Sequence, residues 1–264
     1  MRAALPCHRL ILGLDRGESV SVPAWFAGSH AAFIERLEAE GYPCVFGQQA
    51  ERRGELYYTF VETTDEGPDL TYLPSTLGTF LDLAEQRPGT RHNLAAIFAP
   101  HDPPASHEAY ETCFWRTLRF LHEHDTASWP ADAPTDPADS RWEFAFAGRQ
   151  IFVFGGAPSY RRRRSRNLGP GLVMLFQPRH VFAGLDGRTP AGLEARRLIR
   201  RRMLTWDGVA PHPDLDVFGE PSNHEWKQYF LSDSDARTAG SCPLHIDENL
   251  RSAASSPRTS SANS

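Results

Sequence analysis

The stretch RWEFAFAGRQIFVFGGAPSYRRRRSRNLGPGLVMLFQPR, Arg141 to Arg179, says more about the fold than any other part of the chain. Phe144 and Phe146 precede the turn-like pair Ala147-Gly148, and Ile151, Val153 and Phe154 follow it. A second apolar run, Leu172 to Phe176, stops at Gln177-Pro178. Short runs of branched and aromatic residues bounded by glycine and proline predict two or three core strands. Between them, Gly155-Gly156-Ala157-Pro158 leads into four consecutive arginines, Arg161 to Arg164, and then Arg166. Positive charge is thus concentrated beside glycines at the expected sheet edge. The loop reads either as a solvated segment or as a clamp on carboxylates or phosphates, because guanidinium groups bind such oxygens bidentately.

Outward from this stretch the chain alternates helical and extended patterns. Phe26, Phe33, Ile34 and Leu37 form a helical stripe ended by Gly41 and Pro43. Leu77 to Ala84 fits a second helix. Ser106 is a fitting N-cap for a long helix over Ala109 to Asp125, with Tyr110, Phe114, Trp115, Leu118, Leu121 and His122 on one broad face. Ala191 to Trp206 predicts an arginine-coated helix. Leu56 to Val61 and Leu94 to Ala99 read as strands, and Cys44-Val45-Phe46 as a further strand or short extended segment. The interspersed elements predict an α/β (mixed α+β) fold, a single domain with a central mostly antiparallel or mixed sheet flanked by helices. Residues 1–20 read as an irregular lead-in, 21–247 as the domain, and 248–264, rich in Ser, Ala, Arg and Asn, as a disordered tail.

Composition narrows the class. A chain of 264 residues with 40% hydrophobic residues can bury a full core. The net charge of −5 argues against a general nucleic-acid or membrane binder, which relies on basic excess. No run approaches the roughly 18 apolar residues of a membrane span, and the N-terminal pattern is unlike a secretory signal, so a cytoplasmic protein is expected. All but Lys227 of the 28 basic residues are arginine, as codon bias in a high-GC genome would give. Cys7, Cys44, Cys113 and Cys242 are scattered without a CxxC pair, which indicates free thiols rather than a zinc ribbon or disulfide scaffold.

The chain has no GxSxG elbow, P-loop, HExxH or dinucleotide-binding glycine set. What remains are single groups. His122 projects from an apolar helix face, as either a packed residue or a metal-ligating imidazole; His124, two residues on, points elsewhere. Cys44 and Cys242 sit beside prolines, as buried small residues or thiolate donors. His212 and His224 are further candidates. Glu220, Glu225 and Asp214 lie near Phe218, Trp226 and Tyr229, a combination suited to a guanidinium group.

Six segments in order resemble the YqcI/YcgG family: YPCVFGQQA (42–50), FWRTLRFLHEHD (114–125), TDPADSRWEFAFAGRQIFVFGGAPSYRRRRSR (135–166), LVMLFQPRHVF (172–182), HPDLDVFGEPSNHEWKQYF (212–230) and CPL (242–244). Some members of that family resemble the haem-dependent arginine (guanidine) N-hydroxylases of D-cycloserine and guanitoxin biosynthesis. The resemblance implies a haem b-dependent monooxygenase converting L-arginine to Nω-hydroxy-L-arginine in an antibiotic (D-cycloserine-type) pathway. Dioxygen and an external reductant would be co-substrates and a reductase or other donor a partner. It implies His122 as axial iron ligand, Arg161, Arg164 and Arg166 near the haem propionates, and Glu220 or Glu225 on the guanidinium. Trp226 and Tyr229 would line the pocket. Some members carry His-Pro where this chain has Ala157-Pro158, so Cys44, Cys242 and His212 stand as alternatives for the iron. A non-catalytic haem-binding or small-ligand sensor is the rival expectation.

Overall fold

The computed structural model describes residues 10–11, 21–87, 89–185 and 189–244. The irregular lead-in, apart from Leu10 and Ile11, and the whole tail expected at 248–264 lie outside them. The turn-like pair Ala147-Gly148 closes a hairpin. Strand β5 (Ala145–Phe146) pairs antiparallel with β6 (Arg149–Gly156), and the turn places both Ala147 (φ 52°) and Gly148 (φ 73°) in the left-handed region, as a two-residue hairpin connection demands. β6 pairs antiparallel with β7 (Val173–Pro178), and β7 with β4 (Asn93–Phe98), which runs parallel to β1 (Leu56–Val61). The sheet order is β1-β4-β7-β6-β5, mixed as expected. A small hairpin, β2 (Thr63–Thr64) with β3 (Gly67–Pro68), stands apart.

Helices cover both faces. α3 (Leu73–Glu85) and α4 (His107–Glu123) share one core cluster with Tyr57, Leu94, Ala96, Ile151, Val153, Met174 and Phe176. Ser106 caps α4 by accepting from Ala109 N at 3.2 Å. On the opposite face α1 (Ala24–Glu38) packs Phe26, Phe33 and Leu37 on Tyr58, Phe60, Ala95 and Ile97. All six residues of β1 are buried for this reason. Over β6 and β7 this second face is covered less tightly, and Phe152, Phe154, Leu175 and Gln177 are only half-buried. There α5 (Pro190–Asp207) lies alongside, started by Thr189 Oγ1 accepting from Gly192 N and ended by Gly208 in the left-handed region.

One element differs from the sequence reading. Val45–Arg52 is a helix, α2, rather than a strand. Cys44 Sγ accepts from Gly47 N at 3.3 Å as its N-cap, and Gln48 Nε2 donates to Leu37 O and Ala39 O at the end of α1. These bonds join two helix termini whose backbone groups would otherwise lack partners. A three-residue apolar run carries no period that could have distinguished helix from strand.

Candidate functional site

The glycine–arginine loop between β6 and β7 meets its anion inside the chain. Asp233 accepts the backbone N–H groups of Arg161 (2.9 Å), Arg162 and Arg163 (2.9 Å), filling the concave nest that these consecutive amides make. Asp235 pairs with Arg162 (2.7 Å) and Arg163 (2.8 Å). Arg164 donates to Trp206 O at the end of α5. The buried Arg166 donates to Gly155 O, Tyr229 O and Gln228 O at 3.1, 2.9 and 2.7 Å, with its guanidinium 4.2 Å from the Phe154 ring centroid. Neither Arg161, Arg164 nor Arg166 lines the cavities described next. Arg166 through its side chain and Arg161 through its backbone N–H tie the β6–β7 loop to the 228–235 segment, and Arg164 ties it to the end of α5.

Two adjoining cavities lie on the half-covered face of β6 and β7, beside α5. The larger, about 320 Å³, is lined by Phe152, Phe182, Ile199 and Met203, with Arg179, Asp216 and Glu225. The smaller, about 210 Å³, is lined by Tyr42, Cys44, Phe154, Leu168 and Arg91. Phe46, Phe152, Phe182, Leu185 and Ile199 border both. An apolar, aromatic space with a few polar groups is the usual form of a ligand site.

Among the expected functional residues, Glu225 and Cys44 reach this space. Cys44 sits at the N-terminus of α2, and a Cβ built on Gly47 would lie 3.1 Å from its sulfur and 3.0 Å from Leu37 Cδ1. The bare glycine thus lets a backbone N–H sit against sulfur. As a whole residue Cys44 is exposed, yet desolvation of its sulfur is the largest influence and raises the thiol pKa, while the N–H groups of Gly47 and Phe46 oppose it. Such donors stabilise a thiolate once a metal displaces the proton.

At the other end Arg179 joins two buried carboxyls. Its Nη1 is 2.7 Å from Glu143 Oε1 and 3.6 Å from Glu225 Oε1, and its guanidinium lies 3.6 Å from the Phe218 ring centroid. Glu225 Oε2 accepts from Asn223 Nδ2 (2.7 Å) and Gln228 Nε2 (3.1 Å). Glu143 is fully buried and its Oε2 has no hydrogen-bond donor. Burial raises the pKa of both carboxyls; Arg179 opposes the rise, and Glu225 adds to that of Glu143. Glu143 lies near the start of the quoted stretch and Arg179 ends it, but their pairing spans 36 residues and has no local sequence signal.

The other expected residues lie elsewhere. His122 is half-buried near the end of α4, its ring 6.3 Å from Trp129, and it lines neither cavity. Trp226 and Tyr229 belong to the core cluster shared with α4 and line neither cavity, although the Tyr229 ring meets Phe152 edge-on at 5.5 Å; the Tyr229 hydroxyl accepts from Phe144 N at 2.9 Å. Glu220 is half-buried outside both linings, its backbone N bonded to Val217 O. Cys242 is buried beside Leu244 in that same core, with its thiol pushed up to about 12 by burial. His212 is buried, accepts from Asp214 N through Nδ1, and has its pKa lowered to about 4 by desolvation and then by Arg163. His224 is half-buried, and its Nδ1 has no partner. Among the described residues no group of three or more His, Cys, Asp or Glu could hold a bare metal ion. A porphyrin-held iron needs only one axial donor from the protein.

A porphyrin also needs apolar walls and cations for its carboxylates. Phe46, Phe152, Phe154 and Phe182 supply the first; Arg91, Arg196 and Arg200, all cavity-lining, supply the second. Arg91 is held by Val181 O and lies over Phe46, while Arg196 pairs with Asp216 at 3.1 Å. The residues present fit the group.

Comparison with known proteins agrees with the sequence motifs. YcgG of Bacillus subtilis (strain 168), uncharacterised, is 35% identical over 234 residues, covering 87% of this chain and 91% of the relative. YqcI of the same organism, also uncharacterised, is 33% identical with the same coverage. DcsA of Streptomyces lavendulae, by name a provisional Nω-hydroxy-L-arginine synthase, is 30% identical over 83% of this chain and 84% of its own length. No solved structure matches. The model of the YqcI/YcgG family matches residues 32–245, and the chain belongs to that family.

Proposed function

We propose that this protein is a haem-dependent monooxygenase that N-hydroxylates the guanidino group of L-arginine or a close derivative. The observation that carries the reading is a pair of adjoining apolar cavities, one lined by a helix-capping thiol and the other by a buried carboxyl. The name of DcsA supports the substrate class. Haem, when bound, supplies the reductive activation of dioxygen, using electrons from a separate donor such as a reductase.

The chain's own residues would divide the remaining work. Cys44 is the donor best situated for the iron, with Gly47 and Phe46 N–H groups stabilising its thiolate. Arg91, Arg196 and Arg200 would hold the propionates. Glu225, fixed by Asn223 and Gln228, would take the substrate's guanidinium in a charge-assisted pair that gains strength away from water. The phenylalanine walls and α5 would keep bulk water from the reacting nitrogen.

The test is incubation of haem-loaded protein with L-arginine, dioxygen and a reductant, read by mass spectrometry. Hydroxyarginine, labelled when the gas is ¹⁸O₂, is the expected product. Unchanged arginine with a fully loaded and reduced protein would favour a haem sensor instead.

A further inference from the structure

The buried group formed by Glu143, Arg179 and Glu225 contains two acids and one base. With both carboxyls ionised it carries one uncompensated negative charge. Glu143 has no exposed surface and an oxygen without a donor, so solvent does not meet that charge. Elsewhere around the group the chain offers little to offset it. The Tyr229 hydroxyl stays neutral because burial holds its pKa well above the usual range. Buried Cys242 is likewise a neutral thiol. Across the cavity Arg196 is paired with Asp216, and Arg200 donates to Leu215 O. The Lys227 ammonium lies 5.4 Å from the Trp226 ring centroid, and His224 precedes Glu225 in the chain. An isolated buried charge costs far more than a protonated acid, so such a site is neutralised by a proton or by an added cation.

We propose that Glu143 and Glu225 share one proton across Arg179 in the ligand-free protein, and that a guanidinium group entering the larger cavity expels it. The inference rests on the cationic-substrate reading for what enters, but for the shared proton on the buried arrangement of two acids about one base. Glu225 lines the cavity and Glu143 lies behind Arg179, so the entering cation meets Glu225 while the proton count belongs to the pair. No bond other than that to the proton changes: the acid releases it to solvent and the carboxylate pairs with the cation. The raised pKa of both carboxyls is consistent with this.

The sign of the linkage follows. Below the pair's pKa each bound cation releases close to one proton, so affinity for arginine rises about tenfold per pH unit. Above it, affinity levels off. Citrulline, which carries a neutral ureido group in place of guanidinium, should bind without release.

The experiment is calorimetric titration of the full chain with L-arginine and with citrulline, in buffers of contrasting ionisation enthalpy and across pH. Release approaching one proton with arginine, none with citrulline, and none in Glu143→Gln or Glu225→Gln is the expected result. Arginine binding without proton release in the unmodified protein would overturn the proposal. Infrared titration of the ligand-free protein gives a readout that needs no ligand and no variant to start from. A protonated-carboxyl stretch near neutral pH, lost in either Gln variant, supports the shared proton; its absence at that pH overturns it. Should arginine fail to bind while the stretch is present, the cationic-substrate reading falls and the shared proton stands.

Discussion

Arg166 carries a charge that a surface reading of RRRRSR would assign to solvent or to a ligand. Its donors instead satisfy three backbone carbonyls around the start of the β6–β7 loop. Arg166→Met should leave the Gly155 and Gln228 carbonyls without this donor, while Tyr229 O keeps its bond from Gly155 N, and lower stability by at least about 2 kcal/mol, measured by urea unfolding. Arg161→Ala, whose side chain is exposed and whose part in the nest is its backbone N–H, should change stability by less than about 0.5 kcal/mol. His212 belongs to the same scale. Its pKa, lowered to about 4 from an ordinary value near 6.5, means the unfolded chain binds the extra proton first. Stability should therefore be unaffected by this group above pH about 6.5 and fall by up to about 3 kcal/mol as pH drops to about 4. His212→Asn should flatten that limb of the unfolding curve. The sequence exposed the arginines but not their partners, because Asp233 and Asp235 lie some 70 residues away. Glu143 and Arg179 were legible as residues of the decisive stretch, and their meeting with Glu225 arises only when β7 folds back along β6.

Helices and strands with a clear period were readable from sequence, and short apolar runs were not. Ser106 and the stripe from Tyr110 to Leu121 define α4, whereas Cys44-Val45-Phe46 became the start of α2. The difference is tertiary: Gln48 reaches the end of α1, and no local pattern encodes that bond. α5 was readable as a helix but not as a wall of the cavity. It buries only Gly192 and Asp207, and Leu193 and Leu204 are exposed, while α4 buries six residues. Few buried contacts imply low local stability. Hydrogen exchange should be faster along α5 than along α4, and haemin should slow it selectively. Equal protection of the two helices before and after haemin would show that α5 does not close over a ligand. The close approach at Gly156 gives a second check. A Cβ there would lie 2.7 Å from Arg166 O and 2.9 Å from Leu168 Cδ1. Gly156→Ala should cost about 1–3 kcal/mol by forcing the loop outward.

At the scale of the molecule, the mixed sheet with helices on both faces matches the fold class inferred from interspersed elements. No helix among the described residues is long and apolar enough to cross a membrane. The position of the cavity was not legible, because it depends on which half of one sheet face α1 leaves open. α1 covers β1 and β4, and Phe152 and Phe154 on β6 remain for α5 and a ligand. The proposed chemistry rests on that gap and on Cys44 at its edge. The most direct measurement is the absorption spectrum of the purified protein titrated with haemin, then reduced under carbon monoxide, beside Cys44→Ala and His122→Ala. A stoichiometric Soret band with the red-shifted carbonyl form of a thiolate ligand, retained in His122→Ala and lost in Cys44→Ala, is the expected result. A folded protein that takes up no haemin, or a spectrum unchanged in Cys44→Ala, would contradict it.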